Sequence, residues 1–446
     1  MDKSTTKKIW LSMLSMCVAL VALCISVMIA VDRRQSDNSG SITTYPDNAV
    51  VTEIPVERTE SAPAWTSADF DSAQTAIPDK VVLGENDELR AVWIAYKSLE
   101  DVTTGDIDRM VADCKDIGAN AIIFHVRPFG DALYDSLYFP YSHLLTGTQG
   151  GAPSDGFDPL SYIIDKAHQN GMQLHAWVNP LRIQLAGGIT PSSLSADNPY
   201  SVWRNDGDTS NDDWVIDYEG GKFYNPAVEE VRALIVNGMA ELAANYKVDG
   251  LHWDDYFYPA NDEAFDDSAR YQSYLASGGT MSLRQWRTQN INTLVRDVYN
   301  KVKATNSNCV FGISPAGNIE NCLAMGADVY EWCSTPGYID YICPQVYWSF
   351  DNTVAPFAQR TAEWKAMVTC EGIDFYVGLA LYKAGSESDG GKWLTSDSII
   401  ADQIEYIRSD EIDADGFMIY SYAYLDAEQT RGEVENIKSL LLNEAE

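Results

Sequence analysis

The residues best equipped for chemistry lie together at 249–258: Asp249, Gly250, Leu251, His252, Trp253, Asp254, Asp255, Tyr256, Phe257 and Tyr258. The stretch opens as an apolar strand and ends in two adjacent carboxylates among aromatic rings. A strand alternates its faces, so His252, Asp254 and Tyr256 share one side while Trp253 and Asp255 share the other. Paired carboxylates are what glycoside hydrolysis uses, one protonating the leaving oxygen and the other holding negative charge at the sugar. The plainer reading is a helix cap, but a cap takes one Asp and does not call for His252, Tyr256 and Tyr258 beside it. On a regular strand the two carboxylates diverge; both reach one mouth if the strand stops at Trp253.

The elements that must position this pair can be traced outward. Asn225 is a good N-cap, Pro226 suits a first helical position, and Glu229 and Glu230 favour the positive end of the dipole. Val228, Val231, Leu234, Ile235, Met239, Leu242 and Tyr246 then recur at helical spacing. A helix feeding a short strand is half of a βαβ unit. Further strands are expected at 89–96, 120–126, 172–178, 309–314, 341–348, 375–381 and 416–422. Helices are expected at 107–117, 159–170, 283–305 and 427–441, and the polar run 184–222 reads as a long loop. Strands alternating with helices over 87–446 predict an α/β fold, a (β/α)₈ barrel with insertions. A doubly wound sheet would want a glycine-rich phosphate turn, and the sequence has none.

Barrel enzymes keep their chemistry at the C-terminal ends of the strands. Those ends carry His125, Arg127, Asn179, Arg182, His252, Asp254, Asp255, Tyr256, Tyr258, Gln345, Tyr347, Trp348, Tyr382, Tyr422 and Tyr424. Rings stack on pyranose faces, and amides, carboxylates and Arg bond hydroxyls, so a sugar polymer is the expected ligand. Asp254 and Asp255 are the catalytic candidates. His125, Arg127, Asn179, Arg182, His252, Tyr256, Tyr258, Gln345, Tyr347, Trp348 and Tyr422 are the substrate-binding ones. No metal-ligand spacing and no G-x-S-x-G occur, so no metal or other cofactor is expected.

The chain has 446 residues and a formal net charge of -34, which argues against nucleic acid or anionic lipid as a partner. Lys3, Lys7 and Lys8 precede an apolar run over 9–31, long enough for the roughly 20 residues that span a bilayer. Residues 1–34 are therefore expected to be an uncleaved membrane anchor with the body outside the cell. Residues 35–86, rich in Ser, Thr, Asp, Glu and Pro, are expected to be a flexible linker. Cys17 and Cys24 lie in the expected anchor. Of the body's cysteines four fall between 309 and 343, where an exported location permits a disulfide and buried thiols are the alternative.

Several segments resemble one family. They are Arg90-Ala91-Val92-Trp93, Phe124-His125-Val126-Arg127-Pro128, His175-Ala176-Trp177-Val178-Asn179-Pro180, 248–259, Ile313-Ser314-Pro315 and Pro344-Gln345-Val346-Tyr347-Trp348. Together they look like glycosyl-hydrolase-like family ten, barrel proteins of the bacterial envelope. The resemblance covers about 88–425. It implies a (β/α)₈ fold and glycosidase activity on peptidoglycan glycan strands stripped of peptide. It carries over at Arg127, Asn179, Asp254, Asp255, Tyr256, Gln345 and Tyr347. Ile319 and Glu320 stand where the family usually has an aromatic and a basic residue, which sets Glu320 apart from a family-wide catalytic role. Asp249-Gly250-x-His252-x-Asp254-x-Tyr256 is also similar to the fourth-strand motif of substrate-assisted chitinases, with Tyr256 where those enzymes keep a glutamate acid. The second catalytic group is then a loop carboxylate, Asp351 or one of 262–267, or the substrate's own N-acetyl group. The rival from another class is a non-catalytic glycan-binding protein on a degenerate barrel.

Overall fold

The computed structural model describes residues 80–84, 88–187, 190, 192–259 and 264–443. The expected anchor and most of the expected linker lie outside the described residues. Eight parallel strands close into a barrel. In chain order they are β1 (Leu89–Ile94), β2 (Ala121–Arg127), β3 (Gln173–Val178), β7 (Gly250–Trp253), β8 (Val310–Ile313), β9 (Tyr341–Ile342), β10 (Asp374–Leu379) and β11 (Gly416–Tyr420). Each pairs with its sequence neighbour in the barrel, and β1 closes on β11 from Leu89 with Gly416 to Trp93 with Tyr420. This is the (β/α)₈ architecture. The remaining three strands, β4 (Arg182–Gln184), β5 (Val215–Tyr218) and β6 (Gly221–Tyr224), form a small antiparallel sheet in the order β4-β6-β5.

Alternation along the strands makes two cores. Leu89, Ala91 and Trp93 face into the barrel with Ile123, Trp177, Tyr341, Cys343 and Met418. Val92 and Ile94 face outward with Leu251, Trp253 and the apolar stripes of the helices. The outer helices include α1 (Thr104–Asp116), α2 (Pro159–Gln169), α3 (Glu229–Asn245) and α4 (Leu283–Thr305). Thr103 and Asp106 form a capping box on α1, and Ser282 and Gln285 one on α4. Gly118 and Gly171 follow α1 and α2 with φ of 90° and 72°, as the stop signals predict.

Three local expectations are corrected. Helix α3 starts at Glu229, because Asn225 accepts from the Ala227 N–H (3.1 Å) and closes a separate turn ahead of it. The polar run 184–222 is not a plain loop: Val215–Tyr218 and Gly221–Tyr224 form a hairpin around Glu219 and Gly220, both with positive φ (47° and 76°). The strand expected over 341–348 shrinks to Tyr341–Ile342, since Pro344 has no N–H for the ladder and the chain turns into the mouth there.

A run of hydrogen bonds descends through the barrel. Trp93 Nε1 donates to His252 Nε2 (3.2 Å); an indole nitrogen only donates, so the His252 proton sits on Nδ1. That proton goes to Tyr341 Oη (2.9 Å), and the Tyr341 hydroxyl donates to His175 Nδ1 (3.1 Å). His175 Nε2 then donates to Gln173 Oε1 (3.1 Å), and Gln173 Nε2 to the Val81 carbonyl (3.0 Å). Room for the two rings comes from glycines: a Cβ on Gly250 would lie 2.6 Å from the His175 ring, and one on Gly312 would lie 2.2 Å from the Tyr341 ring. At the barrel's lower end Asp249 accepts from Val81 N (3.0 Å) and Leu174 N (2.8 Å), and Lys80 Nζ donates to the Asn308 carbonyl (2.9 Å). Residues 80 and 81, assigned to the linker from composition, are thus bonded to the body.

Candidate active site

Strand β7 ends at Trp253, the condition under which both carboxylates reach the mouth. Trp253 points outward, its indole donating to Met239 Sδ (3.3 Å). Asp254 turns inward. Trp177 Nε1 donates to its Oδ2 (3.0 Å), and Asn179 Nδ2 reaches both oxygens (3.2 and 3.3 Å). Asp254 is only 3% exposed. Burial lifts its pKa to about 7, against the opposing pull of Arg182, and the charge of Asp255 adds to the lift. Burial also raises Asp255, while a hydrogen bond from Gln345 works the other way. Asp255 opens on a cavity of about 200 Å³ lined by Ala316, Gly317, Asn318, Asn321, Gln345, Tyr347, Trp348 and Lys383.

The wall around Asp254 is ordered from β2 and β3. His125 stacks on Trp177 with centroids 3.6 Å apart and planes within 13°, and Tyr96 meets the His125 ring edge-on. Asn179 Oδ1 accepts from the Arg182 N–H (3.0 Å), and Arg182 Nε donates to the Pro128 carbonyl (3.0 Å). The Arg182 guanidinium then lies over the Tyr256 ring at 4.6 Å, leaving Tyr256 49% exposed at the rim. On the opposite side Tyr347 packs against Tyr382 and Tyr420 (5.9 and 6.0 Å). Gln345 Nε2 donates to the Ser314 carbonyl (3.0 Å), fixing its amide beside Asp255.

The mouth therefore gathers His125, Asn179, Arg182, Asp254, Asp255, Tyr256, Gln345, Tyr347 and Trp348. It does not gather four of the expected residues. His252 is fully buried in the barrel between Trp93 and Tyr341. Arg127 turns outward beneath the loop after β2, its guanidinium 4.2 Å from the Phe139 ring centre. Tyr258 is buried under Arg287 and accepts from Asn290 Nδ2 (3.3 Å). Tyr422 donates to Asp113 Oδ2 (3.0 Å) on α1, outside the barrel. Trp93, Tyr96, Trp177, Tyr420 and Lys383 lie around the site beyond the expected set. Trp93 and Trp177 belong to the family-like segments, and inward alternation on β1 and β3 is the signal that places them. Of the loop carboxylates, Asp351 is 74% exposed and 3.8 Å from Lys392. Asp267 is held by Arg287 Nε and Nη2 (2.9 and 2.8 Å), and Asp266 accepts from Ser268. Residues 262 and 263 lie outside the described residues. Among the described residues no group of three His, Cys, Asp or Glu side chains is placed to hold a metal, and all six cysteines are free thiols.

Comparison with known proteins agrees with the fold. The glycosyl hydrolase-like 10 family matches residues 88–395. The chain is 32% identical over 349 residues to Glycosyl hydrolase YngK of Bacillus subtilis, a match covering 72% of this chain and 64% of that protein. It is 31% identical to Glycosyl hydrolase DigH of Escherichia coli K12, covering 72% and 76%. Among solved structures, the β-amylase catalytic domain of Paenibacillus polymyxa superposes with a TM-score of 0.54 at 11% identity, over 81% of this chain and 99% of that one. The PgaB glycoside hydrolase domain of Bordetella bronchiseptica gives 0.52 at 14%, over 80% and 99%. At those identities the structural likeness is one of fold. With the family match spanning the barrel from β1 through β10, the chain belongs to the glycosyl hydrolase-like 10 family.

Proposed function

We propose that the barrel hydrolyses glycosidic bonds of an envelope polysaccharide, peptide-free peptidoglycan glycan above all, with Asp254 and Asp255 as the catalytic pair. The observation that carries this reading is the contrast between two adjacent carboxylates. Asp254 is held by Trp177 and Asn179 at the mouth with its pKa lifted to about 7, and Asp255 lines the cleft beside Gln345. The charge of Asp255 favours the proton on Asp254, the division of labour that acid-assisted glycoside cleavage needs. Asp254 delivers its proton to the leaving oxygen. Asp255 holds charge toward the anomeric carbon.

The described loop carboxylates are exposed or tied to other partners, so the substrate's N-acetyl oxygen is the nucleophile this reading favours, oriented by Asp255. Breaking the glycosidic bond then leaves a cyclic oxazolinium on the sugar, which water opens. Tyr347 and Tyr256 offer stacking faces, and Asn179 and Gln345 hold the two carboxylates in place. The same reading puts the protein at the cell membrane through residues 9–31, with the barrel outside. Incubating the barrel with peptide-free wall glycan and identifying the new reducing end tests it. Soluble fragments are expected. Binding without cleavage would support the glycan-binding alternative, and turnover of starch or xylan with none of wall glycan would sink the substrate assignment.

A further inference from the structure

We infer that Lys383 reads a carboxylate carried by the sugar in the cleft, and that this is how the enzyme selects strands whose peptides have been removed. The inference rests on the substrate reading above. Eight of the nine side chains and backbones lining the cavity at Asp255 are neutral or acidic, and the cation among them is Lys383. The chain as a whole carries a formal charge of -34, so an anionic ligand approaches a repelling field and needs a local positive group to dock. Lys383 is set for this. An ammonium has three N–H donors. One goes to the Tyr347 carbonyl at 2.6 Å. The neighbouring Asp389 oxygen lies at 3.6 Å, beyond hydrogen-bond distance, and the other Asp389 oxygen accepts from Ser349 N (2.8 Å) and Trp393 Nε1 (3.1 Å). Asp389 thus steadies the ammonium electrostatically and leaves it donor capacity. The side chain is 16% exposed, and its residue lines the cleft.

The chemistry of the ligand follows. An N-acetylated sugar by itself is neutral. The wall sugar that bears a lactyl ether holds its peptide through an amide on the lactyl carboxyl, so the carboxylate exists once the peptide is gone. A half-buried cation beside Tyr347 and Trp348 distinguishes the two states by charge as well as by bulk. The alternative role for Lys383 is to tie down the chain at Tyr347.

Peptide-free strands with free lactyl carboxylates, and the same strands with those carboxyls converted to methylamides, separate the roles. Wild-type kcat/KM is expected to fall roughly 10–100-fold on the amidated strands, the range for losing a hydrogen bond to a charged group. Lys383→Met should lose about as much on the free-carboxylate strands, mostly in KM, and little further on the amidated ones. Lys383→Arg should keep most of the discrimination. Equal wild-type rates on both strands would overturn the inference while leaving the glycosidase reading intact. So would a Lys383→Met loss of the same size on both strands, the mark of a structural tie. Failure of the wild type to cleave either strand would overturn both.

Discussion

Replacing Asp254 with Asn should abolish activity and stabilise the protein at the same time, but only at neutral to alkaline pH. The folded pKa of Asp254 is about 7 against 3.8 for the unmodified group. A raised pKa means that the native state binds the proton more tightly than the unfolded chain. Between about pH 4 and 7 stability therefore falls as pH rises, and above 7 the whole cost is present. The difference of 7 − 3.8, about 3.2 units, at roughly 1.4 kcal/mol each, gives on the order of 4 kcal/mol. Asn removes the buried charge but turns an N–H₂ toward Trp177 Nε1 or Asn179 Nδ2, both donors, at a cost of about 1–3 kcal/mol. The net at pH 8 is a gain of about 1–3 kcal/mol, seen as a Tm a few degrees above wild type. At pH 4 the folded wild-type group is protonated and the unfolded one about half so, which leaves little of that cost, and the variant should be equal or less stable. Turnover should drop by about 10²-fold or more, the usual contribution of a general acid. Thermal melts at pH 4, 6 and 8, with turnover on the same samples, test this. A variant destabilised equally at every pH, or one retaining activity, would refute the charge-burial argument.

Other perturbations follow from the same geometry. Asp255→Asn should lose about 10²-fold in kcat with a smaller rise in stability, since Asp255 opens on the cleft; near-normal turnover would place the catalytic centre elsewhere. Wild-type kcat should decline as pH rises through about 7, because the proton on Asp254 is lost there; a profile flat to pH 9 would remove Asp254 as the acid. Gly312→Ala should destabilise by about 3 kcal/mol or more, because its Cβ would stand 2.2 Å from the Tyr341 ring inside a closed barrel; calorimetry checks it. A chain starting at residue 86 should melt below one starting at residue 79, having lost the Lys80 and Val81 bonds to Asn308, Asp249 and Gln173; equal melting would make those bonds inconsequential.

The barrel was legible because buried parallel strands leave short apolar runs and their helices keep a 3.6-residue period. Asp254 was placed correctly for the same reason: period two sends His252 and Asp254 inward together. What sequence spacing does not carry is direction after a strand has ended. Arg127 lies past a register shift between His125 and Arg127, which turns it outward onto Phe139 rather than into the mouth. Tyr258 and Tyr422 follow strands closely enough to be counted with the mouth, yet each finds a partner on a helix, Asn290 on α4 and Asp113 on α1. The hairpin at 215–224 was hidden because Glu219 occupies a positive-φ position that Asn or Gly would have advertised.

The descending bonds beneath the mouth have a consequence for where acidity is sensed. His252 and His125 are held well below the ordinary imidazole range by burial, and His175 is lowered to about 4 by the same cause. Each ring of the His252–Tyr341–His175 run already has its proton committed to one named acceptor. The floor of the site is thus set apart from the carboxylates: near neutral pH it takes up no charge, and its upper end is the Trp93 indole, which only donates, while Asp254 is bonded to Trp177 and Asn179. A chain that shows imidazoles at its strand ends invites the expectation of a histidine-governed enzyme. In this mouth acidification near neutral pH is registered by Asp254, while His252 and His175 serve as fixed polar filling.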